Sequence, residues 1–591
     1  MEGHRCKLYW TRGGGILINV SQDYLNEIYD DETKTICSVV YGAYDVTAKR
    51  MAGVTSNGQQ TFAPPSQTID SLNNFDRYSD LEINNWILNG TVKLFPNSPN
   101  GKVWGWWSLD LSDENGEFTT NPALTYTWNE NHSSIGITLQ ANNPLKEIKL
   151  YWYDSNNTLI DSYTYTNADL TLTTYAIEHG VTNYQKLVIE FTKTIPYHYI
   201  KIQDILFGNE YTWEDEIIEI NVQESLDEKM QRLESNQATI RLGNIDNTYN
   251  KYNPNNKLQY FQEGQIIQIF NSAELTTGLE QVPLGQFYLT SWGSPTEYTV
   301  EFKGNDLLYK LNDMYYYSKF YNNATVKTIV DDLLSTYSTT VDYVVDDSIK
   351  NVTLTGYIPI ISYREALQHI AFAGCGVCYV DRNGVLQIKR IDTTASAVDT
   401  IDYSKKAPSQ DTQAEKYNSV TVTSYSYNVG TSQELFNGSV SGTQILTFSQ
   451  PASDISVSGT YTSYTAYANC IKIVGASGTI VITGKPYTTS TQQITAYVSQ
   501  DTSVGITKKN MPVDSVYLIG NTTTASNVAT WLLNCLQDDI TNEFKWLSNP
   551  AIEIGDYVTL QVADNLTKKA LVHRNKFTYQ GALAEESEVV L

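Results

Sequence analysis

Short runs of apolar and aromatic residues, each followed by a turn sequence, recur along almost the whole chain and limit its fold more than any other feature. Residues 148–153 precede an Asp-Ser-Asn-Asn turn, and residues 199–207 precede a glycine. Runs of about 4–8 residues bounded by Asn, Asp, Gly or Ser are typical of β-strands. The 43 tyrosines and the low charged fraction of 18% also favour pleated, half-buried surfaces. The sequence therefore predicts a mainly β protein.

The length and charge of the chain exclude several classes of protein. With 591 residues and about 150 residues per domain, we expect roughly four domains. The net charge of −25 has the wrong sign for a protein that grips a nucleic-acid backbone. No apolar run approaches the ~20 residues needed to span a bilayer, and we expect no secretory signal at the start. Six dispersed cysteines are too few for a disulfide scaffold, which favours synthesis in a reducing compartment.

The pattern of strands and helices changes along the chain and predicts a multidomain architecture. Short strands before residue 212 are typical of a β-sandwich or jelly roll, and those after it are typical of small barrels. The predicted segments are an N-terminal arm or loop region (1–74), a β-sandwich (75–212), a first β-barrel (213–310), an α+β insert (311–410), the start of a second β-barrel (411–429), an inserted β-module (430–514) and the end of the second β-barrel (515–591).

Periodic helical signals lie in the insert and in one later segment, and part of residues 1–70 could form an arm or a short helix. Apolar residues within 326–337 recur at the spacing of an amphipathic helix. Ser362 and Glu365 have the spacing of a capping box, which predicts the start of a second helix. A turn at residues 381–384 joins the strands of a predicted hairpin. A last helix has Ser526 as its candidate N-cap.

No motif has the spacing of a nucleophilic, nucleotide-binding or complete metal site. The nearest is Cys375-Gly376-Val377-Cys378, which has the spacing of a redox site or of half a zinc site. It follows a predicted helix instead of opening one, so we interpret both cysteines as small buried residues. Carboxylates are numerous, and a pair spaced for glycoside hydrolysis is left open by the sequence. We expect no catalytic residue, no cofactor, no metal and no enzyme.

A cluster of tryptophans within the predicted sandwich has two interpretations. Trp104, Trp106 and Trp107 lie close together in the sequence. Exposed tryptophan rings stack on sugar rings in carbohydrate-binding modules, so these residues are candidates for glycan binding. Alternate side chains of a strand point into the core, however, and Trp106 or Trp107 must then be buried. Both interpretations stay open at this point.

Several short stretches after residue 213 follow one another in a characteristic order. They are Val222-Gln223-Glu224-Ser225-Leu226-Asp227, the strand 238–242 with its Asn/Asp/Tyr/Pro loop to residue 254, Phe302-Lys303-Gly304-Asn305-Asp306, the helices with the 381–384 hairpin, Ile554-Gly555-Asp556, and Thr578-Tyr579-Gln580-Gly581. Through these stretches the chain resembles the baseplate hub, or tail-associated lysin N-terminal, family of tailed bacteriophages and prophages. Through residues 103–108 and 199–208 the N-terminal region resembles the galactose-binding-like, discoidin-type sandwiches of such tail proteins.

The resemblance implies a structural role in a virion. It implies two tube-like β-barrels per chain and a homotrimer at the tail tip or baseplate, assembled in the host cytoplasm, that joins the sixfold tail tube to threefold tip components. The implied partners are the distal tail protein, tail tube and tape-measure proteins, and tip or fibre proteins. DNA would pass through a central channel without specific binding. A host-surface glycan is a further implied partner, through the galactose-binding-like sandwich.

The acidic composition suggests a physical role for such a channel. A wall with excess carboxylates repels phosphates at short range, so DNA would slide instead of adhering. Two alternatives from other classes remain: a secreted carbohydrate-binding adhesin, and a hydrolase of the cell envelope. The Asn- and Asp-rich loop at residues 244–254 is a candidate contact for a partner protein.

Overall fold

Helices are few and short in the described part of this chain. The computed structural model describes residues 18, 20–30, 35–69, 82, 105–254, 256–413, 415–498, 509–537 and 540–591. The α-helices are α1 (Gln22–Ile28), α2 (Ala48–Met51), α3 (Leu307–Lys310), α4 (Val326–Ser335), α5 (Tyr363–Ala373) and α6 (Thr522–Cys535), and short 3-10 helices lie at Pro65–Ile69 and Lys257–Tyr260. None of the helices within these ranges is long and apolar enough to cross a membrane.

Strands make up most of the ordered backbone, which confirms the predicted mainly β, multidomain class. In chain order they are β1 (Thr35–Tyr44), β2 (Gly53–Ser56), β3 (Trp106–Trp107), β4 (Ala123–Ala141), β5 (Leu145–Tyr153), β6 (Leu159–Thr166), β7 (Thr174–Thr194), β8 (Lys201–Leu206), β9 (Gly208–Trp213), β10 (Ile217–Ser225), β11 (Gln237–Gly243), β12 (Ile266–Leu275), β13 (Gly278–Thr296), β14 (Thr299–Asn305), β15 (Met314–Tyr315), β16 (Tyr321–Thr325), β17 (Tyr343–Val345), β18 (Thr353–Gly356), β19 (Ile361–Ser362), β20 (Val377–Val380), β21 (Leu386–Lys389), β22 (Thr400–Ile401), β23 (Gln410–Gln413), β24 (Ser419–Val429), β25 (Gln433–Thr447), β26 (Ala452–Thr460), β27 (Ser463–Ala466), β28 (Cys470–Tyr497), β29 (Asn510–Val513), β30 (Ile540–Trp546), β31 (Tyr557–Ala563), β32 (Leu566–Tyr579) and β33 (Leu583–Val590).

A sheet of 13 strands unites the segments predicted as separate barrels. Its main order is β23-β30-β33-β32-β10-β11-β14-β13-β12-β1-β9, and β31 pairs with β32 and β22. β1 lies within the predicted arm or loop region and pairs with both β9 and β12. No sheet within the described ranges closes into a complete barrel, which corrects the predicted tube-like barrels to one open sheet.

The first half of this sheet, β1 and β9–β14, is strongly curled. Trp213 on β9 and Phe302 on β14 stack with their ring centroids 5.3 Å apart. In the order of the sheet, four successive strand pairings separate β9 from β14. Two strands that far apart in a flat sheet would lie ~19 Å from each other. Tyr41, Ile240 and Phe287 from other strands of this half share the same buried core. The first half therefore has the wall curvature of a barrel without its closure.

The second half, β22, β23 and β30–β33, encloses its own core. The segment 400–413 starts beside β31, forms a bridge from Lys406 to Trp546, and ends paired with β30. This segment therefore runs from β31 to β30 across the second half and covers a core that includes Phe544 and Val558. Each half of the large sheet is a separately packed, curved unit.

The sandwich precedes β9 in the chain and packs around a third core. Its seven strands within the described residues have the order β3-β8-β4-β7-β5-β6, with β2 paired to β4. Leu139, Trp152 and Ile189 are fully buried in its core. His132 on β4 contacts Asp45, directly after β1, with Nδ1 2.8 Å from Oδ2. This buried pair connects the sandwich to the large sheet.

The α+β insert shares its core with α6 from the C-terminal part of the chain. The predicted capping box is confirmed: Ser362 Oγ accepts from the Glu365 backbone N–H, and the Glu365 carboxylate accepts from the Ser362 N–H. α6 begins earlier than its predicted cap, Ser526. Its N-cap is Asn521, because the Asn521 side chain accepts the backbone N–H of Thr524. Ser526 therefore lies inside the helix.

Strands β24–β29 form a separate six-stranded sheet. β24, which falls within the predicted start of the second barrel (411–429), pairs instead with β28 and β29 of this module. The reason is its apolar face: Val420 and Val422 are fully buried in the core that contains α6. The module therefore begins before residue 430.

Candidate functional site at the seam of the large sheet

The two halves of the large sheet meet at a single antiparallel ladder between β10 and β32, which we call the seam. It pairs Ile220 with Tyr579 at one end and Ser225 with Arg574 at the other. Thr578 donates its hydroxyl to the Asn221 side chain across the ladder at 3.0 Å. The seam therefore makes a continuous surface out of two curved units.

Arg382 lies behind the seam and contacts all three parts that meet there. It occupies the turn between β20 and β21 of the insert and is 3% exposed. Its Nε and Nη2 donate to the Glu224 carboxylate of β10 at 3.0 and 2.6 Å. Nη2 also donates to the Ile552 carbonyl at 2.6 Å, and Nη1 donates to the Pro550 carbonyl. A buried guanidinium with several acceptors on different segments fixes their relative positions.

The Arg382 pair lies within a larger group of buried carboxyls. Burial raises the pKa of Glu585 to about 8 and that of Glu553 to about 7, and the Arg382 charge only partly offsets this effect. Desolvation favours the neutral form of a carboxyl. Glu585 accepts from Ser548 and from the Asn549 backbone N–H. The group therefore retains a proton at neutral pH, which limits the negative charge buried behind the seam.

The opposite face of the sheet is polar across both halves. In β10, β11, β14, β30, β33 and the part of β32 that pairs with β10, alternate residues are buried, and the outward residues between them are mostly polar. The charged outward residues, which we call the seam face, carry equal numbers of acidic and basic groups: Glu219, Arg241, Glu301, Lys303, Glu543, Lys545, Arg574, Lys576, Glu586 and Glu588.

Arginines on the seam face each neutralise two carboxylates. Arg241 contacts Glu219 at 2.8 Å and Glu301 at 3.2 Å on the neighbouring strands. Arg574 contacts Glu588 at 2.7 Å and Glu543 at 3.3 Å. Such cross-strand pairs leave few unpaired charges. The seam face is therefore hydrophilic and close to electrically neutral, in contrast to the acidic whole chain.

The predicted glycan-binding tryptophans lie at the edge of the sandwich core. Trp104 is outside the described residues. Trp106 is fully buried and packs against Phe191 with ring centroids 5.7 Å apart. Trp107 is 6% exposed, and the Lys201 ammonium lies 4.3 Å from its ring centroid. The rings of Trp106 and Trp107 are covered by protein in this structure, and glycan binding by the three tryptophans stays a prediction.

The cysteine pair forms no reactive site in the geometry observed. Cys375 follows α5 and Cys378 lies on β20; both are buried free thiols. Burial raises the pKa of Cys375 to about 11 and shifts the pKa of Cys378 further upward. A thiol held neutral in this way is a poor nucleophile. Within the described ranges no group of three or more His, Cys, Asp or Glu residues is placed to hold a metal ion.

The loop at residues 244–254 projects from the first half of the large sheet. Ile245 and Tyr252 are 84% and 82% exposed. Neighbouring Tyr298, at the β13–β14 turn, is 61% exposed, and its carbonyl accepts the Asn244 N–H at 2.8 Å. These apolar side chains form an exposed surface next to the seam face, at the predicted partner contact.

Sequence patterns did not reveal the importance of Glu224 and Arg382. A signal was present for Glu224: it occupies the inward phase of β10 after Ile220 and Val222, where an acidic residue requires a buried partner. Arg382 sits in a polar turn sequence that is typical of solvent-exposed hairpins. Only the fold shows that this turn is buried against the seam.

The sequence matches no protein family profile and no curated protein. Among solved structures, the chain is similar to a tail protein from Neisseria meningitidis MC58 (11% identity, 64% of this chain and 94% of that chain, TM-score 0.41). It is also similar to a 43 kDa tail protein of prophage MuSo2 from Shewanella oneidensis (12% identity, 64% and 95%, TM-score 0.39). A third is prophage tail protein gp18 from Listeria monocytogenes EGD-e (11% identity, 65% and 91%, TM-score 0.37).

Proposed function

We propose that this chain is the structural hub of a bacteriophage tail tip or baseplate. The observation that carries the proposal is the seam: two curved β units in one chain are joined edge to edge and present one uninterrupted polar face. The resemblance of the sequence from residue 213 onward to the baseplate hub family supports the same role. We propose no enzymatic activity.

Two curved units per chain suit a change of symmetry. Three copies arranged around an axis would present six such units, so a homotrimer would match a sixfold tube on one side and threefold tip components on the other. In this arrangement the seam faces of the three chains line the central channel. The apolar cores of both halves lie behind them, and the insert supports each seam from outside through Arg382.

The neutrality of the seam face suits a channel for DNA. Non-specific DNA binding needs an excess of Lys and Arg that releases counterions from the phosphates. On the seam face, carboxylates offset the basic residues, so little net attraction remains. The channel wall is then charge-balanced, and not acidic as the composition of the whole chain suggested. DNA would pass along such a wall without specific binding.

The remaining partners follow from the same role. The distal tail protein, tail tube and tape-measure proteins would meet one end of the ring, and tip or fibre proteins the other. The exposed apolar side chains at residues 244–254 and at Tyr298 provide a contact for one of these neighbours. Host-surface glycan binding would belong to the N-terminal sandwich. The place of the protein is then the virion tail tip, after assembly in the host cytoplasm.

Native mass spectrometry and electron microscopy of the purified full chain test this proposal. The expected result is a species of three chains whose class averages show a central hole. A second sample with the Ile245→Ser and Tyr252→Ser substitutions, which alter only exposed side chains, should keep the ring if the loop serves another protein. A monomer at all concentrations, or a particle without a hole, would overturn the hub proposal.

A further inference from the structure

A cavity of about 330 Å³ lies between α6 and the insert. Its wall is built from the first turns of α6, from β18 and from the residues that follow α5. A parallel bridge between Thr355 and Ile519 fixes the start of α6 against β18. Ligand sites of proteins have volumes of about 300–1,000 Å³, so this cavity is large enough for a small organic molecule.

The N-terminus of α6 faces this cavity. The helix has 14 residues, and Asn521 caps it by accepting the Thr524 N–H at 2.8 Å. The N–H groups of Thr522 and Thr523 have no acceptor in the described part of the chain. The aligned peptide dipoles of a helix place partial positive charge at this end, where free N–H groups bind anions.

The hydroxyl of Thr524 is an independent sign that a ligand belongs here. Thr524 is only 9% exposed and lines the cavity. Within the described ranges its hydroxyl takes part in no hydrogen bond, although its backbone N–H is capped by Asn521. The hydroxyl is therefore free to donate to an acceptor atom placed in the cavity.

Arg390 supplies a full positive charge at the same cavity. Its Nε and Nη2 donate to the Gly374 carbonyl after α5, at 3.2 and 2.8 Å. These bonds hold the guanidinium in place and leave Nη1 available for a ligand. Among the described residues no carboxylate lines the cavity and competes for the arginine. A guanidinium beside a helix N-terminus is a favourable setting for a phosphate group.

We propose that this cavity binds a phosphate monoester or diester of a polyol or sugar. The phosphate would accept from the Thr522 and Thr523 N–H groups, the Thr524 hydroxyl and Arg390. The volume exceeds that of inorganic phosphate, and the amide side chain of Asn527 and the hydroxyl of Thr353 on the wall suit the hydroxyl groups of a ligand. Such a ligand has two sources: a free small molecule, or a polyol-phosphate polymer on a cell surface.

Isothermal titration calorimetry on the full chain tests the site with defined probes. We expect glycerol 3-phosphate to bind more tightly than inorganic phosphate, and glycerol not to bind. Thr524→Val and Arg390→Gln should each weaken the binding of glycerol 3-phosphate by about tenfold. This is the expected effect of losing one hydrogen bond to a charged ligand. Matched controls are Thr491→Val on β28 and Arg50→Gln in α2, where the same changes at exposed residues should leave the affinity unaltered.

Several outcomes would overturn the proposal. One is that neither glycerol 3-phosphate nor inorganic phosphate binds. Another is that Thr524→Val, Arg390→Gln and the control variants bind glycerol 3-phosphate equally well, which would place the anion elsewhere on the surface. Circular dichroism of each variant shows whether it is folded. Arg390→Gln alters an exposed side chain at the mouth of the cavity, so this variant still tests the site if Thr524→Val is unstable. A polyglycerol phosphate chain that competes with glycerol 3-phosphate identifies the polymer as the source; binding of the monomer alone identifies a free small molecule.

Discussion

Arg382 and Glu224 are 158 residues apart in the chain, yet the Arg382 Nη2 lies 2.6 Å from Glu224 Oε1 in the interior. Both residues are 3% exposed. The pair joins the turn of the insert to the edge strand of the first half, directly behind the seam. The alignment of the two halves therefore depends on a residue that belongs to neither of them.

Removing the guanidinium should destabilise the protein strongly. Arg382→Ala removes the ion-pair partner of the buried Glu224 carboxylate, and such a loss costs about 3–5 kcal/mol. Arg574→Ala, on the exposed seam face, removes pairs in water and should cost about 0–1 kcal/mol. Urea denaturation followed by tryptophan fluorescence measures both free energies of unfolding. Equal losses for the two variants would contradict the structural role of Arg382.

The raised pKa of Glu585 should make stability fall toward alkaline pH. Burial raises this pKa from 4.5 in the unfolded chain to about 8, so the folded protein binds a proton that the unfolded chain has released. The contribution of Glu585 to stability then decreases as pH rises from about 4.5 to 8. Glu585→Gln keeps a neutral side chain at all pH values and should flatten this part of the profile. Urea midpoints of both proteins between pH 5 and 8.5 measure the difference; parallel profiles would refute it.

His573 should act in another pH window. Burial lowers its pKa, but the hydrogen bond and charge of Glu228, 3.0 Å away, shift it upward overall. Because the folded pKa lies above the unfolded value of 6.5, this contribution is complete below that pH and disappears as pH rises through the folded pKa. His573→Gln should lower the free energy of unfolding by roughly 1–2 kcal/mol at pH 6 and much less at pH 9. The double variant with Glu228→Gln should lose less than the two single losses combined.

Reversing charges on the seam face should create DNA binding. The wild-type face is neutral, so we expect no measurable affinity for a duplex at physiological salt. Lys substitutions at Glu219, Glu301, Glu586 and Glu588 would concentrate positive charge there, and fluorescence anisotropy should detect salt-dependent binding. The same four changes at scattered exposed positions, Glu114, Glu130, Glu214 and Glu297, give the same net charge and should bind at least about tenfold more weakly. In assembled particles the seam-face variant should slow DNA ejection.

Trp106→Ala distinguishes the two interpretations of the tryptophan cluster. Trp106 is fully buried against Phe191, and truncation of a buried tryptophan costs about 3–5 kcal/mol. The melting temperature of the sandwich should fall clearly. An unchanged melting temperature together with loss of binding on a glycan array would instead support a sugar-contacting role for this residue.

Local elements could be predicted from the sequence, because their signals lie within a few residues. The capping box of Ser362 and Glu365 and the hairpin around residues 381–384 are observed where the patterns indicated them. The seam could not be predicted, since Asn221 and Thr578 are 357 residues apart and either strand could pair with several others. The burial of Arg382 depends on that same pairing, so it too became visible only with the fold.

The pairing at the seam also has a consequence in time. β10 leaves the ribosome long before β32, which lies 357 residues later at the Asn221–Thr578 pair. At a synthesis rate of about 5–20 residues per second, the edge of β10 waits roughly 20–70 s for its partner. During this interval an unprotected hydrogen-bonding edge is exposed in the nascent chain. A neighbouring copy on the same polysome, or a chaperone, has that long to occupy it.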